Sequence, residues 1–186
     1  MVALSRIAGT NIMQLSRQRA FNLLELLVCM AVLAILTVLA IPSGKDYIQK
    51  NRQLTAVNEM IEILSYSRWA SITSGVPVSL CSGELLCNNS KSWEDGILVF
   101  KDANRNGQID ATESVLRANP PTEKYRWDWS NFRNKTHMTF MPNGTTDSLN
   151  GTFTLCLEQQ AVNTVVLNIT GRGRRASPAN SANCNR

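Results

Sequence analysis

Five consecutive residues near the end of the chain are suited to binding phosphate: Gly171, Arg172, Gly173, Arg174 and Arg175. The planar guanidinium group of arginine presents paired N–H donors that match two phosphate oxygens. The glycines on either side of Arg172 let the backbone turn and approach a partner closely. Residues 159–186 contain four arginines and no acidic residue, so no nearby carboxylate in the sequence cancels this charge. The pattern predicts weak, salt-sensitive binding to a polyanion, and its alternative is a solvated cluster of charge.

A second candidate site matches, position for position, the twelve-residue loop that binds calcium in EF-hand proteins. Oxygen-bearing side chains stand at positions 1, 3, 5, 9 and 12, with glycine at position 6: Asp102, Asn104, Asn106, Asp110, Glu113 and Gly107. The flanking apolar runs are typical of strands, whereas an EF-hand loop joins two helices, and asparagine at positions 3 and 5 lowers the ligand charge. We therefore favour a turn held by side-chain hydrogen bonds over a calcium site, and predict neither metal nor cofactor.

Residues 124–129 interleave basic and aromatic side chains, as proteins that bind single-stranded nucleic acid do. The same residues alternate strictly, so Tyr125, Trp127 and Trp129 would share one face of a strand. We favour a half-buried strand over a nucleic-acid-binding surface here.

No catalytic arrangement can be recognised. The sequence contains one histidine, His137, and has neither a Gly-x-Ser-x-Gly motif nor a glycine-rich phosphate loop followed by lysine. It also has no Cys-x-x-Cys pair that would favour a zinc site. We predict that the protein is not an enzyme.

Residues 21–41 are apolar except for Glu25 and are long enough to cross a bilayer as a helix. The run is too long for the apolar core of a secretory signal, and no small-x-small cleavage site follows it. The preceding flank is basic, which predicts a cytoplasmic N-terminus. A plain membrane anchor leaves Glu25 unexplained, because a carboxylate within an apolar span is costly and usually functional.

A second helical segment is predicted over residues 42–75, after Pro42, which should end or kink the first. Leu54, Val57, Ile61 and Leu64 recur at spacings of three and four, and we expect this face to pack on a sheet. The run Gly75-Val76-Pro77 should stop the helix.

The remainder, residues 76–186, reads as a β-rich domain. Short apolar or alternating runs separated by turn residues predict strands at 76–81, 96–100, 114–117, 124–129, 137–141, 152–157 and 164–170. The predicted fold class is α+β, with a long N-terminal helix packed on a largely antiparallel sheet.

Four of the five cysteines fall in this domain, on the predicted non-cytoplasmic side, where disulfides form. Three connectivities are possible. We favour Cys81 with Cys87, six residues apart across a turn, and Cys156 with Cys184, which would tie down the C-terminal tail. Cys29 lies inside the predicted span and is expected to be a small apolar packing residue.

The net charge of +5 is confined to the ends of the chain. Residues 1–20 contain three arginines and no acid, and the last four arginines lie beyond residue 158, whereas the residues between carry 12 basic and 14 acidic side chains. This distribution excludes a uniformly basic protein that coats nucleic acid.

The run from Arg19 to Leu27 resembles the type III signal of type IV pilins and type II secretion pseudopilins. Ala20 stands where that family usually has glycine, and Asn22-Leu23-Leu24 replaces Thr-Leu-Ile. The resemblance implies a pilin-like fold whose leader, residues 1–20, is removed by prepilin peptidase between Ala20 and Phe21, with N-methylation of Phe21. It also implies that Glu25 pairs with the N-terminal amine of a neighbouring pilin during assembly, as a buried carboxylate requires a cation.

A second resemblance narrows the family. Trp93-x-x-Gly96 followed by an apolar run and the Asp/Asn-rich segment 102–113 is similar to the GspH/FimT group of pseudopilins and minor pilins. The Gly-Arg-x-Arg element, which we predict to form a loop over residues 171–175 after the last strand, resembles the one with which FimT-type minor pilins bind DNA during natural transformation. Gly171, Arg172 and Arg174 match that element, whereas Arg175 is included for its charge alone.

Together these resemblances imply a minor pilin that sits in the bacterial inner membrane as a single-pass precursor and then joins an extracellular or periplasmic pilus. Its partners would be other pilins, prepilin peptidase and, weakly and without sequence preference, DNA. The alternative is a purely structural subunit, either a FimU-like protein that primes pilus assembly or a type II secretion pseudopilin. The fold cannot separate these functions.

Overall fold

The structure, a computed structural model, describes residues 22–122, 124–147, 150–179 and 184, with side chains throughout except at residues 38–45. The predicted leader and the processing residues Ala20 and Phe21 lie outside the described residues. The chain divides into two units between Asp46 and Tyr47, and the β-rich domain belongs to the second.

Among the described residues one long helix, α1, runs from Leu23 to Ser74. Asn22 precedes it, and its side-chain oxygen accepts a long hydrogen bond of 3.5 Å from the backbone N–H of Leu24, in the manner of an N-cap. The helix continues through Pro42, so of the two effects predicted for that residue, an end or a kink, the end is wrong. It ends as predicted at Gly75, whose φ of 66° suits glycine and whose N–H donates to the Ser71 carbonyl at 3.0 Å.

No helical stretch among the described side chains is both long and apolar enough to cross a membrane. The predicted span, residues 21–41, includes positions outside that description, so the single span stays a prediction.

The strands form two antiparallel sheets. In chain order they are β1 Val78–Ser82, β2 Ser92–Trp93, β3 Ile97–Lys101, β4 Val115–Asn119, β5 Tyr125–Asn131, β6 Met138–Phe140, β7 Gly151–Leu157, β8 Gln160–Leu167 and β9 Gly173–Ala176. One sheet has the order β4-β3-β1-β6 and the other the order β2-β5-β7-β8-β9. The α+β fold class is confirmed, and β2 and β9 are strands that the sequence patterns did not predict.

The C-terminal half of α1 packs on both sheets through a wider face than the apolar spacing predicts. Val57 and Leu64 are buried as expected, but Leu54 and Ile61 lie at the rim. The buried face is completed by four small residues and two larger apolar ones: Ala56, Ser67, Ala70 and Ser71, with Met60 and Ile63. Buried serines satisfy their hydroxyls by donating to backbone carbonyls, as Ser71 does to Phe140 at 3.0 Å. The predicted apolar face is therefore right in part. The face that is actually buried is rotated from it towards the small residues.

Both disulfides have the pairing that we favoured. Cys81 is bonded to Cys87 within a short loop after β1, and Cys156 of β7 is bonded to Cys184 across 28 residues. The second bond holds the buried Cys184 against the five-stranded sheet. Cys29 is exposed on α1 in the isolated chain.

Candidate phosphate-binding site

The arginine-rich segment begins in a tight turn after β8. Gly171 adopts a φ of 75°, and its N–H donates to the Asn168 carbonyl at 2.9 Å. The side-chain oxygen of Asn168 accepts hydrogen bonds from the N–H of Arg172 at 3.0 Å and from the hydroxyl of Thr170 at 2.7 Å. This Asx-type turn fixes the backbone on which Arg172 is presented.

The rest of the segment is a strand rather than the loop that the sequence predicts. Gly173–Ala176 form β9, the edge strand of the five-stranded sheet, with Arg174 opposite Val166 and Arg175 opposite Val165. Backbone bonds to β8 hold this strand although its side chains are polar. The prediction of a loop is therefore wrong for residues 173–175.

Alternation along β9 separates the arginines. Arg175 shares a face with the fully buried Val165, and its Nε donates to the Asn163 side chain at 3.1 Å. Arg174 points to the opposite face. Arg172, Arg174 and Arg175 are all exposed.

Two grooves flank this segment beside α1. Arg172 lines one of about 410 Å³ together with Ser65, Arg68, Trp69 and Ile72 of the helix and the glycines 171 and 173. Arg175 lines another of about 360 Å³ with Lys50, Gln53 and Leu54. The four predicted residues therefore belong to one edge of the domain but not to one cleft.

Glycine is required at position 171 for close approach as well as for its backbone conformation. A Cβ there would lie 2.3 Å from the carbonyl oxygen of Gly144 and about 3 Å from the Arg68 side chain. Arg68 itself donates through Nε to the Gly144 carbonyl at 2.9 Å. The turn, the helix and the 144 loop are thus locked together at this point.

The electrostatic setting favours an anion. Within the part of the chain that the structure describes, Arg172, Arg174 and Arg175 form no salt bridge, whereas Arg117, Arg126 and Arg133 are paired with carboxylates. An exposed guanidinium without a carboxylate partner keeps its donors for a ligand. The sequence pattern found these arginines, but it missed Arg68 and Trp69, which reach the groove only through the packing of α1.

The segment 102–113 has the hydrogen bonding of a self-contained turn, as we favoured. Buried Asp102 accepts from Ser79 Oγ at 2.5 Å and from the N–H groups of Asn106 and Gly107 at 3.0 Å. Asp110 accepts from the side chains of Asn104 and Asn106, and Glu113 accepts from two backbone N–H groups. These carboxylates therefore already have donors within the loop and around it.

His137 packs over this loop, since a Cβ at Gly107 would lie 2.1 Å from its Nδ1. Burial lowers the pKa of His137 below its usual 6.5, and Lys135 lowers it further against the raising effect of Asp102 and Asp147. Hydrogen bonding from Lys135 lowers the pKa of Asp147.

The aromatic strand is a core element, as expected. Tyr125, Trp127 and Trp129 are buried, and Trp129 stacks on Phe153 at 4.2 Å between ring centroids. Their rings are not available for stacking on bases.

The described residues contain one group of three side chains that lie close enough to share a metal ion, Asp128, Cys156 and Cys184. The two cysteines are joined in a disulfide, so they offer no thiolate ligands.

Glu25 lies in the first turn of α1 and is exposed in the isolated chain. The helix N-terminus favours a negative charge there. Large apolar side chains surround it along the helix and are also exposed, including Leu24, Leu26 and Leu27.

Comparison with known proteins places the chain in a family. Residues 56–171 match the family model of the type II transport protein GspH, and residues 15–41 match the prokaryotic N-terminal methylation motif. The chain belongs to the GspH family. It is a minor type IV pilin or pseudopilin with a prepilin-type N-terminus, and membership implies a membrane-anchored precursor, processing by the prepilin peptidase and assembly with other pilins.

Solved structures agree on the fold. The type IV minor pilin FimU of Pseudomonas aeruginosa strain PAO1 is similar in two crystal forms, each with 18% sequence identity. The form in space group P65 gives a TM-score of 0.52 over 71% of this chain, and the form in P21 gives 0.57 over 75%, in each case covering 99% of FimU. No curated protein matches significantly.

Proposed function

We propose that this GspH-family minor pilin binds extracellular DNA through Gly171, Arg172, Arg174 and Arg175 and takes part in DNA uptake. The observation that carries the proposal is the exposure of Arg172 and Arg174 without carboxylate partners among the described residues. The Asn168 turn fixes the backbone of Arg172, and the pairing of β9 with β8 fixes that of Arg174. Three or four phosphate contacts per subunit give weak binding without sequence preference. Several subunits would be needed for strong attachment.

The proposal includes assembly through α1. Glu25, exposed in the first turn among leucines, is the residue that would pair with the N-terminal amine of a neighbouring subunit. Burial of that carboxylate between helices requires such a cation. Cleavage between Ala20 and Phe21 would create the amine, and the apolar part of α1 would hold the precursor in the inner membrane.

The test is a gel-shift titration of the full chain in detergent micelles with duplex DNA at low salt. We expect wild-type protein to bind and Arg172→Gln/Arg174→Gln to lose most of its affinity, because each removed guanidinium removes a phosphate contact. The matched control is Arg105→Gln/Arg133→Gln, which also removes two positive charges, but from exposed loops elsewhere in the domain. This variant should bind nearly as wild type does. Equal binding by wild type and Arg172→Gln/Arg174→Gln would show that the segment is not the site.

The second candidate is a purely structural subunit, a FimU-like initiator of pilus assembly or a type II secretion pseudopilin. The match to the model of the type II transport protein GspH favours it. In that case the wild-type chain binds no DNA at low salt, and deletion of the gene removes pili or blocks secretion.

A further inference from the structure

The groove beside Arg172 contains an aromatic ring that the proposed function does not use. Trp69 is 61% exposed, whereas the other three tryptophans of the chain, Trp93, Trp127 and Trp129, are at most 5% exposed. A large aromatic ring left in water at a cationic groove calls for an explanation, because tryptophan is otherwise a core residue in this domain.

The Trp69 ring packs beside a second aromatic ring on the same helix. Trp69 lies three residues after Tyr66, and the two ring centroids are 6.1 Å apart. Tyr66 in turn lies under the guanidinium of Arg117, which is 5.9 Å from its centroid and is paired with Glu62 at 2.6 Å. These contacts limit the orientations of Trp69 and leave its outer face free for a ligand.

Cationic side chains line the same groove as Trp69. Ser65, Arg68, Trp69 and Ile72 follow one face of α1 at helical spacing, and Arg172 closes the opposite side between two glycines. Gly171 and Gly173 also line the groove. A Cβ at position 171 would lie about 3 Å from the Arg68 side chain, whereas a Cβ at position 173 would face the core, 3.3 Å from the buried Leu64. The groove between the helix and the arginine turn has a volume of about 410 Å³.

We propose that this groove binds single-stranded DNA, with an unpaired base stacked on Trp69 and the adjoining phosphate held by Arg172. The inference rests on the proposed function and refines it, because it assigns a preference for unpaired over duplex DNA. Proteins that bind single strands combine a cationic track with aromatic platforms, and every base has a face that can stack. Bases within a duplex are already stacked on each other, so they cannot use the Trp69 platform.

The test uses tryptophan fluorescence of the full chain in detergent micelles, titrated with a thymidine oligonucleotide and, separately, with a duplex of equal length. Because the other tryptophans are buried, the solvent-exposed part of the emission comes from Trp69. We expect the single strand to quench it, and the duplex to bind without comparable quenching.

Variants then measure the contribution of the ring. Trp69→Ala should weaken single-strand binding by about 5- to 150-fold, the range for loss of one base–aromatic stack, with a smaller loss for the duplex. Trp69→Phe should retain most of the affinity. Phe132→Ala is the matched control, since Phe132 is an exposed aromatic residue outside the groove, and it should bind as wild type does. Circular dichroism of each variant checks that it is folded.

The outcomes separate the two proposals. If wild type binds neither probe, the proposed function fails and this inference fails with it. If wild type binds both probes but Trp69→Ala binds the single strand as wild type does, or the single strand leaves the emission unchanged, DNA binding stands and the Trp69 platform is overturned.

Discussion

Gly171 is the residue on which the geometry of the arginine turn depends most. Its positive φ disfavours any L side chain, and its neighbours leave no room for one. Gly75 also has a positive φ, at the end of α1, but a Cβ there would have no heavy atom within 4 Å. The two glycines therefore separate the effect of backbone strain from the effect of crowding.

We predict that Gly171→Ala lowers the free energy of unfolding more than Gly75→Ala does. Gly75→Ala should cost about 1–2 kcal/mol, the price of a left-handed backbone for an L residue. Gly171→Ala should exceed this, because the new methyl group must displace the Gly144 carbonyl or the Arg68 side chain. Urea unfolding of both variants is the measurement. Equal losses of unfolding free energy would contradict the claim that position 171 is too crowded for a side chain.

His137 makes the stability of the domain depend on pH. Its pKa in the folded chain is lower than the usual 6.5, chiefly because it is buried. As the pH falls, the unfolded chain takes up the proton first, so the contribution is complete above about pH 6.5 and is lost as the pH falls towards the lower folded value. We predict that the free energy of unfolding declines between about pH 7 and pH 5 and that His137→Gln flattens this decline.

The control for that experiment comes from Asp147. Its pKa lies below the usual 3.8 because Lys135 donates to it, so its contribution is present above pH 3.8 and is lost only as the pH falls below it. It therefore leaves the window between pH 7 and pH 5 unaffected. Parallel curves for wild type and His137→Gln in that window would contradict the assignment to His137.

At the scale of elements, the strands with alternating or apolar patterns could be predicted and β9 could not. Residues 124–129 alternate, and β5 occupies nearly the same range with its aromatic rings in the core. Residues 173–176 have no apolar alternation that would predict a strand. They form one because β9 pairs with β8 through backbone hydrogen bonds at the edge of the sheet. The α1 face was misjudged for a related reason, because buried Ser67 and Ser71 do not register as apolar.

The same limit applies to the candidate site. The arginines could be found from composition and spacing, because charge without acidic neighbours is visible in the sequence. The groove formed with Arg68 and Trp69 depends on α1 packing about one hundred residues away in the chain, and no local pattern encodes that contact.

The two disulfides should differ in their effect on stability. The Cys156–Cys184 bond closes a separation of 28 residues and the Cys81–Cys87 bond one of 6. The loss of loop-closure entropy in the unfolded chain predicts costs of about 3.6 and about 2.2 kcal/mol for replacing each pair with alanine. Urea unfolding of the two double variants measures this, and a larger loss from the Cys81→Ala/Cys87→Ala pair would refute the ordering.

At the scale of the whole molecule, the net positive charge is concentrated at the two ends of the chain. The net +5 of the full chain includes three arginines in the predicted leader, so removal of residues 1–20 would leave a slightly acidic body with a basic C-terminal segment. We expect such a molecule to approach a polyanion with its basic C-terminal segment, and we expect salt to weaken the attachment strongly.

The salt dependence of duplex binding tests the central claim most directly. For wild-type protein in detergent micelles, the logarithm of the binding constant should fall linearly with the logarithm of salt concentration. The slope of this line should be about −0.9 for each phosphate contact. The account predicts that Arg172→Gln/Arg174→Gln makes this slope shallower by about 1.8, whereas Arg105→Gln/Arg133→Gln leaves it unchanged. An identical slope for wild type and Arg172→Gln/Arg174→Gln would contradict phosphate binding by these arginines.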